Sequence, residues 1–168
     1  MSIITSDIKC LLSGGAGNTD PNAALGGIIS VTEIVDDTLD NLFDDVSGAE
    51  HAAGDINYRC FYVKNNSAEI AYNVKIYIDT NTPAADDVIN IGLDLGGLDA
   101  TADTIADEHT APDPAVTFTT ADGYANALNM GDIPAGEKFA VWVKRIVSAG
   151  STAQANNSAI LKVSVDTV

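Results

Sequence analysis

Few side chains in this sequence have chemistry to offer. They are His51 and His109, Cys10 and Cys60, two groups of carboxylates, and one glycine-rich run behind an apolar segment. Each histidine lies among acidic residues in a loop-like stretch, and no serine, cysteine or lysine stands in the local setting of an activated nucleophile. The run Ser13 to Asn18, SGGAGN, is placed where a phosphate-cradling loop would be. It lacks the lysine of a P-loop, does not match G-x-G-x-x-G and is followed by no helix whose N-terminus would meet an anion, so a flexible turn is expected. Asp36, Asp37, Asp40, Asp44 and Asp45 form one acidic group, and Asp99, Asp103, Asp107 and Glu108 another. Calcium draws its ligands from such oxygens, yet neither group has the glycine and terminal glutamate of an EF-hand. Solvated acidic loops are the expectation, with an ion held between loops as the alternative.

The spacing of Cys10 and Cys60 matches no zinc or redox motif. They would pair only if their strands were neighbours with Cα atoms within about 7 Å; buried free thiols are expected. Asn-x-Ser sequons begin at Asn65 and Asn156 and predict nothing without a secretory leader. Trp142 and Tyr77 would make a sugar-stacking platform if both were exposed, but Trp142 falls in an inner strand, where core packing is expected. The residues thus assign no catalytic, cofactor-binding or metal-ligating position, and no cofactor.

These groups must be positioned by β-structure. The stretch Gly54 to Asp79 organises the chain and is expected to be a central hairpin. Tyr58, Cys60 and Tyr62 alternate with Phe61 and Val63, making both faces apolar as in a central strand. Asn65, Asn66 and Ser67 supply turn chemistry. Val74, Ile76 and Ile78 then alternate with Lys75, Tyr77 and Asp79, so only one face is buried. Further strands are expected over 7–12, 88–93, 115–120, 139–147 and 158–165. Residues 47–54 and 129–138 are expected to be connectors. Aspartates disfavour a helix over 32–46, which leaves turns or a short extended segment carrying Leu42 and Phe43 as plugs. The fold class is all-β: a single immunoglobulin-like β-sandwich with long irregular loops, one domain over residues 1–168. Its parts are an irregular N-terminal segment with the first strand (1–35), the central hairpin (54–79) and a long surface loop (96–114).

At 168 residues the chain is long enough for one domain to bury roughly 70% of its unfolded surface. Eight basic against 24 acidic residues give a formal net charge of −16, which repels nucleic acid and anionic membrane. Hydrophobic residues make up 46% of the chain, too many for a disordered acidic tail. No stretch approaches the ~20 apolar residues of a membrane span, and the opening residues show neither a basic leader nor a signal-length apolar run. The expectation is a chain made and kept in a cytoplasm until it is assembled or released.

Four segments carry a family resemblance: DIKCLLSGGAGNTDPNAALGGIIS (7–30), NLFDDVSGAE (41–50), GDINYRCFYVKN (54–65) and MGDIPAGEKFAVWVKRIV (130–147). Together they resemble a family of small virion structural proteins of tailed bacteriophages. The likeness spans most of the chain and rests on an LSGG turn, an N-x-DPN-x-x-LGG loop and a YRC-F-YVKN strand. It implies no enzymatic activity and a virion location after assembly in the host cytoplasm. The expected role is a capsid decoration or cement protein, with the major capsid protein as partner and a homo-oligomer on the particle. A tail or baseplate component is the alternative, and a carbohydrate-binding surface module a further one. The contacting elements are expected to be Met1 to Gly17 and Gly96 to Pro114.

Overall fold

The computed structural model describes residues 3–84, 86–152 and 157–166. Met1 and Ser2 of the N-terminal segment, and the sequon residue Asn156, lie outside the described residues. In chain order the elements are β1 (Ile8–Leu12), β2 (Gly26–Gly27), α1 (Gly48–Ala53), β3 (Asp55–Asn65), β4 (Ala71–Thr80), β5 (Asp87–Leu98), β6 (Ala102–Thr104), β7 (Leu128–Ile133), β8 (Lys138–Val147) and β9 (Ile160–Asp166), with single 3₁₀ turns at Thr5–Asp7, Pro21–Ala23 and Tyr124–Asn126. Among the described residues the structure is all-β apart from one short α-helix, and every pair of named strands is antiparallel.

β3 is the pivot. Tyr58 through Val63 are all buried, so the strand needs a cover on each face. It lies second in a four-stranded sheet of order β1-β3-β8-β5. On the inner face Phe61, Val63, Val141, Val143 and Ile91 pack with Val74, Ile76, Ile78 and Ile133 of the second sheet, order β7-β4-β9. The two sheets therefore share a core in a sandwich-like arrangement. On the outer face Tyr58, Cys60, Tyr62, Ala140 and Trp142 form a second core under Leu25, Ile29, Ala102, Ile105, Val116 and Phe118.

The expected central hairpin is not formed. β3 and β4 lie in different sheets, and the turn between them carries the chain from one layer to the other. The buried Asn65 builds that corner: its Nδ2 donates to the carbonyls of Glu69 (2.7 Å) and Ile133 (2.8 Å), while its Oδ1 accepts from the Ser67 amide (2.9 Å). Turn chemistry at 65–67 is as expected, but the apolar faces of the two strands are met more fully across a core than side by side. From β3 onward, each strand of the two main sheets is followed by one in the other sheet.

Residues 96–114 are not simply a surface loop. β5 runs on to Leu98, β6 pairs with β2, and Ala102, Ile105 and Pro112 are buried. The reason is the second core: the tyrosines and Trp142 on the outer face of β3 and β8 require cover, and this segment supplies part of it. Residues 115–120 form no strand; they bond β5 through the reciprocal Ile91 and Thr119 backbone bonds, 2.9 and 3.0 Å, and pass so close over Gly92 that a Cβ there would fall 2.6 Å from the Thr117 carbonyl oxygen. The connector 129–138 begins as β7, whose alternation is broken by Gly131 at φ +77°. Residues 47–54 hold α1 between its caps Ser47 and Gly54, started by a capping box in which Ser47 Oγ accepts from the Glu50 amide and Glu50 returns to the Ser47 amide. That contact holds the Glu50 carboxyl below its ordinary value.

Candidate interaction surface

The residues singled out by their chemistry do not converge. Cys10 packs with the inner core and Cys60 with the outer one; Cys10 sits opposite Val63, and both thiols are free. The glycine run is a structural turn. Ser13 is fully buried, its Oγ donating to the Cys60 carbonyl (2.8 Å) and accepting from the Gly26 amide (3.0 Å). At Gly14 a Cβ would fall 2.2 Å from the Ala23 carbonyl oxygen. Trp142 is fully buried and donates through Nε1 to Asp94 (2.9 Å), whereas Tyr77 stands edge-on to Tyr124 on the second sheet. The two aromatics therefore make no common platform.

The carboxylate groups are dispersed among separate partners. Asp44 reaches Arg145, Asp99 pairs with Lys138 (2.6 Å), Asp103 accepts from the Asp113 amide, Asp107 closes a turn on Thr110, and Glu108 meets the buried Arg59. Among the described residues no three histidine, cysteine or acidic side chains gather as a metal site would require. Phe43 plugs the end of the inner core as expected, its ring 5.5 Å from the Arg59 guanidinium and 4.9 Å from that of Arg145.

The histidines have different surroundings. His51 Nδ1 and Ser151 Oγ lie 2.6 Å apart, a pairing 100 residues distant in sequence that local reading does not reveal. The same loop donates the Gly150 amide to the His51 carbonyl (2.8 Å), so the contact fastens α1 to the turn after β8. Among the described residues no carboxylate is hydrogen-bonded to His51 to orient it as a base. His109 lines an open groove of about 480 Å³ with Asp55, Ile56 and Val147. Burial pulls its imidazole down, but the Ile56 carbonyl and then Asp55, Glu108 and Asp107 together carry it above its ordinary value.

What the structure does assemble is an apolar and acidic margin beside β1. Residues 30–34 run antiparallel to β1: the Ser30 amide donates to the Leu12 carbonyl, the Leu12 amide to Thr32 and the Ile34 amide to Cys10, at 2.8–3.0 Å. Ser30 and Ile34 face inward, while Val31 and Val35 are 81% and 60% exposed. Ile28 and Leu39, 59% and 70% exposed, extend this margin. Glu33 is held by Lys9 Nζ at 2.9 Å, and none of the ion pairs among the described residues takes up Asp36, Asp37 or Asp40. Four large apolar side chains, Ile28, Val31, Val35 and Leu39, are thus exposed within one segment. The alternation V-T-E-I-V at 31–35 is its only sequence signal, and it is short.

Burial raises both thiols. Cys10 is pushed up from 9.0 to about 12, with Asp36 and Glu33 adding to the effect, and Cys60 is raised further, with a contribution from Asp94. The native state therefore keeps protons that the unfolded chain releases. Its stability is full below pH 9 and is lost as pH rises toward 12, by up to about 1.4 kcal/mol per pH unit for each thiol. Urea midpoints are expected to fall between pH 8.5 and 10.5, and less steeply in Cys60→Ala; parallel profiles would show that the thiols do not set the slope.

Among the described residues no helix is long and apolar enough to cross a membrane. Compared with known proteins, the chain matches no family model, no curated protein and no solved structure.

Proposed function

We propose that this chain is a non-enzymatic bacteriophage virion structural protein: a capsid decoration or cement protein that binds the assembled major capsid lattice and stabilises it. The observation that carries this reading is the exposed apolar margin Ile28 to Leu39 set in an acidic surface, added to the family resemblance of segments 7–30, 41–50, 54–65 and 130–147. A protein that binds only where several shell subunits meet stabilises the assembled state by RT ln(1 + [L]/Kd) and leaves the free subunits unaffected. A net charge of −16 suits a molecule carried in many copies, as a homo-oligomer on the particle, and disfavours nucleic acid and anionic membrane as partners. The virion is its location, after assembly in the host cytoplasm.

The finer architectural reading, an immunoglobulin-like sandwich, is supported by the four-plus-three division of the main strands. It departs from the constant-type layout, which keeps its fourth and fifth strands together and its last two together; here every such connection changes sheet.

The test is co-sedimentation of the purified protein with empty, expanded heads of the parent phage, followed by electron cryo-microscopy of the complex. Saturable binding at symmetric positions on the shell is the expected result. Binding to purified tails with bare heads would overturn decoration in favour of a tail or baseplate role.

A further inference from the structure

The margin beside β1 ends in an unsatisfied strand edge. Glu33 faces Leu11 as a non-hydrogen-bonded pair, flanked by the Leu12 to Thr32 and Ile34 to Cys10 bonds. In such a pair the residue's own N–H and C=O point away from the neighbouring strand. Its two alternate neighbours share that direction. The Val31 amide is taken by the Ala16 carbonyl (3.2 Å) and the Val35 carbonyl accepts from Asn41 Nδ2 (3.0 Å), but among the described residues no backbone bond is formed by the Glu33 amide or carbonyl, or by the Val35 amide. Three further groups are thus aligned as a template for an added strand.

Beside this edge is a groove of about 340 Å³ lined by Ile8, Cys10, Glu33, Ile34, Val35 and Asp36. Four of these residues are apolar and two, Glu33 and Asp36, are acidic. No lysine or arginine occurs between Lys9 and Arg59, so the margin has no basic residue of its own segment to neutralise Asp36, Asp37 and Asp40.

We propose that residues 31–35 accept an added β-strand from a different protein chain: an extended segment in which apolar side chains alternate with lysine or arginine. Backbone bonds to Glu33 and Val35 supply affinity, and the groove with its apolar and acidic residues selects the side chains. A second copy of this chain is the poorer occupant, because pairing edge to edge would set Glu33 and Asp36 against the same residues of the copy. The proposal rests on the virion reading for its partner, a chain of the assembled particle, while the choice between head and tail is left to the test.

The experiment compares wild-type protein, Glu33→Pro, Val31→Lys/Val35→Lys and Tyr124→Ser for binding to purified heads and, separately, purified tails of the parent phage. Glu33→Pro removes an outward amide at an edge position where proline is tolerated. The double lysine variant keeps the backbone and repels a basic partner. Tyr124→Ser strips an exposed aromatic from the second sheet. Melting curves confirm that each variant is folded, and the lysine pair, at exposed positions, serves should the proline variant unfold. The expected result is at least a tenfold loss of binding in both edge variants, none in Tyr124→Ser, and slowed hydrogen exchange of the Glu33 and Val35 amides in the bound wild type. Binding to heads that is unchanged in both edge variants overturns the edge proposal and leaves decoration standing. Binding to tails alone that is lost in the edge variants overturns decoration and leaves the edge standing. Binding to neither particle overturns both, and a wild-type dimer that the lysine pair dissociates overturns the choice of partner.

Discussion

Replacing Trp142 by alanine is expected to destabilise the protein by about 3–5 kcal/mol, the range for removing a large aromatic from a packed core. Trp142 is the largest fully buried side chain among the described residues, and it lies at the centre of the outer core among Tyr58, Cys60, Tyr62, Ala102 and Ile105. Two costs add to the lost area. Asp94, itself 7% exposed, would lose the indole N–H that donates to it, leaving a carboxylate buried with one partner fewer. The cover would also lose the surface it was shaped on: at Gly26 a Cβ would stand 3.1 Å from the Trp142 ring and 1.7 Å from the Asp103 carbonyl oxygen. Trp142→Phe keeps most of the area but not the donor, so it should fall between the two. Urea denaturation measures the effect, which for a domain of this size is a drop of roughly 10 °C in Tm. A loss below about 1 kcal/mol would mean that the segments over β3 and β8 do not pack as a layer.

This outer core marks the limit of what periodicity reveals. Apolar residues on both faces of β3 require two covers, and that much is legible from Tyr58 to Val63 alone. The nature of the second cover is not, because it is built from Leu25, Ile29, Ala102, Ile105, Val116 and Phe118, scattered through segments rich in glycine and proline with no period of their own. The same lack of period makes 96–114 look like an excursion. The single-faced alternation of β4, the burial of Trp142 and the plugging role of Phe43 follow from residue type and spacing. The separation of β3 from β4 does not, since a turn with Asn65 and Ser67 serves equally for a hairpin or for a corner between layers. The decision is made by the Asn65 bond to the Ile133 carbonyl, 68 residues away. The margin beside β1 is hidden for a related reason: Val31 to Val35 is too short a run to be read as a strand, and its edge character exists only because β1 pairs with it across 22 residues, Leu11 to Glu33.

Arg59→Met is the substitution that tests how the loops at the end of the sandwich are held, with an expected loss of about 3 kcal/mol. Alternation places Arg59 on the inner face with Phe61 and Val63, where it is 1% exposed. An arginine there must bring partners with it. Its Nη2 donates to Asn22 Oδ1 (3.0 Å) and to Glu108, its Nη1 to the Tyr58 carbonyl (3.1 Å), and its Cζ stands 5.5 Å from the centre of the Phe43 ring. One guanidinium therefore ties to β3 three segments that are far apart in sequence, those carrying Asn22, Phe43 and Glu108. Two features keep the loss below that of a fully buried ion pair. Nε has no hydrogen-bond partner in the native state, and the Glu108 side chain, 29% exposed, can be rehydrated when the arginine is gone. Methionine retains the apolar stem, so the change reports on the guanidinium rather than on a cavity. Lysine should rescue little, because a single ammonium cannot serve Asn22, Glu108 and the Tyr58 carbonyl in one plane. A double-mutant cycle with Glu108→Gln isolates the ion pair, and a coupling of about 1–2 kcal/mol is expected from a charged hydrogen bond at a partly wet site. A coupling near zero, with Arg59→Met still costly, would assign the joint to Asn22 and Phe43 instead, and proteolysis within 36–46 in place of 105–114 would then be the first sign of its release.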